Sequence, residues 1–281
     1  MVIDILRNED LETQEKLMLL LFYLGMADRY QLATLLAKSV HTIDKTIKRL
    51  NKKSREEKHI ISLTAPFNKG PRMYQLGPAG WKWVMGWIEE DRKYYERSES
   101  QKRHYRGMTE ILIRIIETIG RDQALKCVSY YNTYEATVMF RYPWEVVRWQ
   151  EWQDPKVRQE EEKELPRPDL CLEIGENSFW IEYDTANESP NKIKAKYRRY
   201  YRAFNQLAET SSSRKPIIWV TTSQGRVKRM RHWLQMVKRE LEFREMKNPP
   251  PEMFFFVEGE ETKYLLNPQW LCAILSLFVS R

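Results

Sequence analysis

Cysteine and histidine are scarce in this chain. The three cysteines, Cys127, Cys171 and Cys272, are odd in number and far apart, so no disulfide frame follows and reduced thiols are expected. The four histidines, His41, His59, His104 and His232, form no H-x-H, H-E-x-x-H or Cys/His ladder. A zinc site and a paired-histidine nickase centre are therefore not expected. No G-x-x-x-x-G-K-[ST] occurs, which argues against a phosphate-loop ATPase. Ten glycines and thirteen prolines in 281 residues leave no low-complexity linker. Long apolar runs are missing too. Trp270 to Val279 is about half the roughly 20 residues that span a bilayer, and reads as a buried C-terminal helix. Met1 to Asp10 carries Asp4, Glu9 and Asp10 and lacks the apolar run of a secretory signal. The expectation is a cytoplasmic protein with no membrane partner.

What the chain has in quantity is aromatic and basic residues. Fifteen Tyr and ten Trp, with 42% hydrophobic residues overall, are those of a folded chain. At roughly 100 to 200 residues per domain, the length favours two domains. Lys and Arg number 47 against 39 Asp and Glu, a formal charge of +8. The whole excess falls between residues 29 and 72, where eleven bases meet three acids. Such a balance points to a polyanionic partner for that stretch.

Around that stretch the apolar spacing is helical. Leu17, Leu20, Leu21 and Leu24 recur at three and four over Thr13 to Leu24, a short helix is expected from Arg29 to Leu36, and Ile43, Ile47 and Leu50 repeat over Thr42 to Asn51. Three helices in about 40 residues suggest a helix-turn-helix core. With its apolar face inward, the third helix would expose Lys45, Lys48, Arg49 and Lys52, with His41 and Thr42 near its N-terminus. Residues of these types can meet phosphates and base edges in a major groove. Ile60 to Leu63 and Met73 to Leu76 read as strands around a loop holding Lys69 and Arg72, a β-hairpin.

This order, closed by the phrase YQLGPAGW at residues 74–81, resembles the winged-helix family of DNA-binding domains. From Pro78 to Arg106 the chain continues as a helix and then a charged stretch, with Trp81, Trp83, Trp87, Tyr94 and Tyr95 among its bases. Aromatics at this density read as a packing face against a neighbouring domain or a second subunit, with single-strand stacking as the secondary reading. The domain limits expected are 1–90, a connecting segment 91–106, and 107–281.

In the second half, Met108 to Ile119 reads as a core helix. Strands are expected at Ala136 to Phe140, Leu170 to Ile174, Ser178 to Tyr183, Pro216 to Thr222 and Met253 to Val257. Helices are expected at Asn191 to Leu207 and Arg226 to Phe243, giving a mixed α/β layer. The chemistry concentrates in RPDLCLEIGENSFWIEYDTANES, residues 167–189. Glu182 and Asp184 share a strand face by period two, and Asp169 opens the neighbouring strand of the hairpin. Converging carboxylates raise one another's pKa unless a cation sits among them. Mg²⁺ or Mn²⁺ suits oxygen ligands and can activate water for phosphodiester cleavage.

The hairpin with its P-D and E-x-x resembles the PD-(D/E)xK nuclease superfamily. Joined to the winged helix, PD…E-x-D-x-x-x-E-S…K…Y is similar to the replication-relaxation family of plasmid and mobile-element proteins. The resemblance implies an α/β fold, α+β overall: an N-terminal winged helix-turn-helix, then a restriction-endonuclease-like mixed sheet flanked by helices. It implies Asp169 and Glu182 as metal ligands, Asp184 as a further ligand or supporting acid, and Lys196 and Tyr200 as the following helix's Lys and Tyr. The superfamily's usual Lys, two residues after the second acid, is Asp184 here, so Lys192 or Lys196 must supply its charge. The Lys- and Arg-rich segments Lys192 to Arg202 and Arg226 to Arg231 can hold a DNA backbone or serve as surface charge. The implied partner is double-stranded DNA, with a homodimer as a further expectation. The implied activity is metal-dependent nicking in replication or relaxation. The alternative is a non-catalytic transcriptional regulator or replication initiator whose second domain serves dimerisation or docking.

Overall fold

The computed structural model describes residues 1–53, 57–63, 70–208, 211–242, 247–248 and 251–267. The expected C-terminal helix at Trp270 to Val279, Cys272 and Lys69 lie outside the described residues. The chain divides into two compact units, Met1–Tyr130 and Tyr131–Arg281.

In the first unit the order is α1 (Val2–Arg7), α2 (Thr13–Leu24), β1 (Met26–Asp28), α3 (Arg29–Leu36), α4 (Val40–Lys53), β2 (Ile60–Leu63), β3 (Met73–Leu76), α5 (Pro78–Ile88), α6 (Lys102–Ile119) and α7 (Arg121–Cys127). The wing strands β2 and β3 have the bounds their residues suggest and pair antiparallel, with Ile60 opposite Leu76. The three-residue strand β1 joins the free edge of β3 to complete a small sheet of order β1-β3-β2. Gly77 and Gly80 of the YQLGPAGW phrase have a steric reason. A Cβ on either would collide with the carbonyl oxygens of Lys58 or His59, against which the turn closes through the bond from the Gly77 N–H to His59 O at 2.7 Å.

Asp28 organises this unit. Fully buried, it accepts from the Tyr30 and Gln31 amides as the N-cap of α3, and its second oxygen meets Arg106 Nε of α6 at 3.0 Å. Gln31 also reaches α6, donating to Arg106 O and Glu110. The stretch 91–106 is therefore packed rather than linking. Trp81 donates to Arg92 O, Arg97 N–H donates to Gln75, and the Trp81 ring packs tilted against Phe22 and edge-on to Tyr94. Trp81 and Tyr94 thus pack within the winged-helix unit, whereas Trp87 and Tyr95 are exposed. Helices α6 and α7 belong to this unit, where residues from 107 onward were expected in the second.

The second unit begins within β4 (Val128–Tyr131) and continues with α8 (Thr133–Val147), α9 (Pro155–Glu164), β5 (Leu170–Ile174), β6 (Asn177–Asp184), α10 (Pro190–Gln206), β7 (Ile217–Thr221), α11 (Gln224–Glu242), β8 (Met253–Val257) and α12 (Glu261–Leu265). Its mixed, open sheet runs β4-β5-β6-β7-β8, antiparallel across β5-β6 and parallel across β6-β7-β8. Trp180, Ile217, Trp219 and Phe255 present one sheet face to buried residues of α8, α10 and α11, among them Phe140, Tyr197, Tyr200 and Trp233. Tyr264 of α12 covers Phe254 and Phe256 on the other face.

One expectation fails here. Ala136 to Phe140 is part of helix α8, not a strand. Asn132 and Glu135 form a reciprocal capping box, and Ala136, Phe140 and Trp144 bury a face at intervals of four. Pro143 sits inside this helix, where it cannot donate to Met139 O. The buried Ser213 hydroxyl donates instead, at 3.0 Å to Phe140 O and 3.5 Å to Met139 O.

Asp28→Ala removes a cap and leaves Arg106 without its carboxylate. Urea unfolding should show a loss of about 2–4 kcal/mol, against less than half of that for exposed Lys82→Ala; equal losses would refute the role given to Asp28.

Candidate functional site

Two groups of residues carry chemistry, one in each unit. On α4, Ile43, Ile47 and Leu50 are buried while His41, Lys45, Lys48, Arg49 and Lys52 are exposed. Thr42 is half-buried, its hydroxyl 2.9 Å from that of Ser39, which also accepts the Thr42 N–H and so caps the helix start. Asp44 points away from the basic face, toward Arg29 at 3.5 Å and the Tyr74 hydroxyl at 3.3 Å. That acid thus ties α4 to α3 and the wing strand β3, and its charge is removed from the exposed face. Arg72 is exposed at the foot of β3. The helix and the hairpin strands therefore stand as a unit.

The second group lies where β6 meets α10. Because Trp180 faces the helices, so do Glu182 and Asp184, two and four residues on. Glu182 is buried, and its carboxylate is claimed by α10 from both sides. Lys196 Nζ donates to Oε2 at 3.0 Å, and the Tyr200 hydroxyl donates to Oε1 at 2.8 Å. Lys196 also lies 3.5 Å from Glu188 and 5.7 Å from the centre of the Trp219 ring, a cation–π distance. Of the two lysines named for the displaced charge, Lys196 reaches Glu182, and Lys192, one helical turn earlier, is exposed.

Asp169 arrives by register. The β5-β6 pairing sets Leu170 opposite Ile181, so one step further Asp169 stands opposite Glu182. Its Oδ2 accepts the Tyr183 N–H at 2.8 Å, and its own amide continues the ladder to Ile181 O at 3.0 Å. Directly opposed antiparallel residues share a face. Asp169 and Glu182 are accordingly neighbours, and the Asp169 charge makes Glu182 harder to ionise.

Asp184 is engaged by a different helix. Arg226 of α11 holds it in a two-pronged ion pair, Nε to Oδ2 at 2.7 Å and Nη2 to Oδ1 at 3.1 Å, and the Thr221 hydroxyl adds a bond at 2.9 Å. The same Arg226 Nη2 donates to Glu188 O at 2.8 Å, bracing the turn into α10. The three carboxylates therefore do not converge. Among the described residues no group of three or more His, Cys, Asp or Glu is placed to hold a metal ion. Asp184 is a structural acid, and Arg226 is buried away from any surface role. Sequence reasoning placed Arg226 in a run read either as a hold on a DNA backbone or as surface charge. What could have marked it is the acid itself, since a buried aspartate on a sheet face needs a cation.

Electrostatics follow from burial. Glu182 is pushed up to about 7 chiefly by burial, with Asp169 adding to the rise and Lys196 and Tyr200 opposing it. Burial works to lower Lys196, but Glu182, Asp169 and Glu188 outweigh it and its pKa rises. Burial together with Glu182 raises Tyr200 well above the usual phenol range. Tyr200 is thus a neutral hydrogen-bond donor to Glu182. Cys171, buried at the sheet, has its thiol pushed up to about 11 by burial.

Of the other bases, Arg198 pairs with Glu240 and Arg202 with Glu164. Lys228, Arg229 and His232 on α11 are exposed.

Fold and site together define a two-part class: a winged-helix unit followed by a nuclease-like open sheet with a hairpin acid pair and a helix-borne lysine. The replication-relaxation family matches residues 19–225, about three quarters of the chain, spanning both the winged helix and the acid pair. The chain belongs to the replication-relaxation family. No curated protein and no solved structure matches it. No helix among the described residues is long and apolar enough to cross a membrane.

The raised Glu182 makes a signed prediction. Between pH of about 4.5 and about 7 the native carboxyl keeps a proton that the unfolded chain has released, so its contribution to stability falls as pH rises. The stability of wild type minus that of Glu182→Gln, from urea unfolding across this window, should decline with pH. A difference that stays flat or grows would contradict the burial of this acid.

Proposed function

We propose that the chain is a DNA-binding protein of plasmid or mobile-element replication and relaxation. Its first unit reads a duplex through α4, and its second unit acts on DNA at the Asp169–Glu182 pair. The observation that carries this reading is the one-sided chemistry of α4, whose exposed face offers His41, Lys45, Lys48, Arg49 and Lys52 while its only acid is turned to Arg29 and Tyr74. In a major groove such a helix gives phosphate contacts from its lysines and base-edge contacts from Arg49 and its N-terminal residues. Lys69 and Arg72 of the wing are the proposed second contact.

The acid pair fits a hard divalent cation, Mg²⁺ or Mn²⁺, since Mg²⁺ keeps several waters and needs only one or two protein carboxylates. Asp169 and Glu182 would hold it, and when bound it supplies an activated water and charge stabilisation for phosphodiester hydrolysis. Lys196, kept charged by its acidic neighbours, favours the ionised Glu182 and stands beside the site where a nucleophile would be oriented. Tyr200 fixes the remaining Glu182 oxygen. Asp184 with Arg226 holds the β6 end and the α10 entry in place.

One observation favours a second reading, in which the unit docks DNA without cutting it. Both Glu182 oxygens already accept hydrogen bonds, and Asp184 replaces the superfamily's lysine. Supercoiled plasmid from the cognate replicon separates the two readings. With Mn²⁺ the wild type should relax it and Asp169→Ala should not; equal relaxation by the two proteins rejects the enzyme. DNA binding is tested apart from this. In gel shifts, Lys48→Ala with Arg49→Ala should weaken binding at least about tenfold and lower the salt slope by about one for each phosphate no longer bound. Undiminished affinity would place the DNA-reading surface elsewhere than α4.

A further inference from the structure

Helix α8 buries Ala136, Phe140 and Trp144 against the sheet and shows a second apolar line to solvent. Tyr134, Val138, Tyr142 and Val146 follow one another at intervals of four, and exposed Trp149 stands in the turn just past the end of the helix, three residues on. These five side chains are between 39% and 68% exposed. On an α-helix, residues at this spacing form one continuous ridge. Single exposed apolar side chains need no explanation, but a contiguous row marks a contact surface.

The row has an order of its own. Read from either end it runs aromatic, Val, aromatic, Val, aromatic, with Tyr142 at the centre. A surface of that kind is complementary to itself. Set antiparallel against a second copy about a two-fold axis through Tyr142, Val138 meets Val146, Tyr134 meets Trp149, and Tyr142 meets Tyr142. Two-fold contacts are isologous, residue i touching j while j touches i. Beside Trp149 lies a hollow of about 400 Å³ lined by Trp152, Pro155, Glu145 and Arg158, a seat for the opposing Tyr134.

Charge points the same way. The cations bordering the row are neutralised within the unit: Arg141 by Glu145 and Glu162, Arg148 by Glu151 and Glu161, and Arg158 by Glu145 and Glu162. A nucleic acid lying on these aromatics would need bases for its phosphates, and here each of those three is already paired with carboxylates. Area is sufficient. Aromatic side chains bury about 150–250 Å² each, so three of them, about three-fifths exposed, offer roughly 300–400 Å² per copy. With the valines and the polar rim this approaches the roughly 800 Å² per partner of a stable interface.

We infer that the chain forms a two-fold homodimer through α8, with Tyr142 at the axis. The dimer is independent of whether the second unit cuts DNA.

The full chain is the object to test. Sedimentation equilibrium at micromolar concentration should give about 68 kDa, twice the chain's 34.0 kDa. Tyr142→Glu and Val146→Glu should each return it to the single-chain mass with an unchanged circular dichroism spectrum and melting temperature. A register test follows. Under mild oxidation Tyr142→Cys should cross-link to itself, whereas Tyr134→Cys should cross-link only when mixed with Trp149→Cys. A wild type that stays at single-chain mass, a Tyr142→Glu variant that stays dimeric, or equal self-linking at 134 and 142 would overturn the proposal. Loss of oligonucleotide binding in Tyr142→Glu without any change in mass would overturn it in favour of a stacking surface.

Discussion

Two negative charges placed on the covered face of a sheet shape the second unit. Glu182 and Asp184 lie on β6 beneath α10 and α11, where an unpaired carboxylate would cost several kcal/mol. Each acid therefore draws a cation from a different helix, Lys196 from α10 and Arg226 from α11. The two crossover helices are fixed to the same strand end by this need as well as by the packing of Tyr197, Tyr200 and Trp233 against the sheet. Apolar burial can hold a helix near a sheet with some freedom to slide; a two-pronged arginine on a buried aspartate sets its position along the strand.

The same constraint divides labour between two acids that look alike. Asp184, with Arg226 and Thr221 on its oxygens, is committed to architecture. Glu182 is raised to about 7 chiefly by burial, with the opposed Asp169 adding to the rise and its lysine and phenol working against it. A carboxyl in that state responds to any further positive charge brought near it.

Much of this was legible in the residues. The wing strands, β5, the crossover helices and the inward set Ile193, Tyr197, Tyr200 and Phe204 all follow from periodicity, and the hairpin order places Asp169 beside Glu182. Three things were not. Strand β1 is three residues long, too short for any alternation to show. Ala136 to Phe140 has the Thr-Val content of a strand, and the deciding signals, the Asn132–Glu135 box and the four-residue burial interval, extend beyond that window. Period two correctly put Asp184 on Glu182's face, but a shared face does not make a shared site. The arginine that takes Asp184 away lies 42 positions later, a distance no local pattern spans.

The lock between Asp28 and Arg106 bears on how this winged helix can be exchanged between proteins. A helix-turn-helix closed by its hairpin is often a portable cassette whose last strand marks the cut. Here the N-cap of α3 is also the seat of α6, and Gln31 fastens the same helix by two more bonds. Recombination that joined this cassette to a new partner just after the hairpin would strand a buried carboxylate at the start of the helix-turn-helix. The natural seam lies beyond α6, and inheritance of the helix-turn-helix should carry that long helix with it.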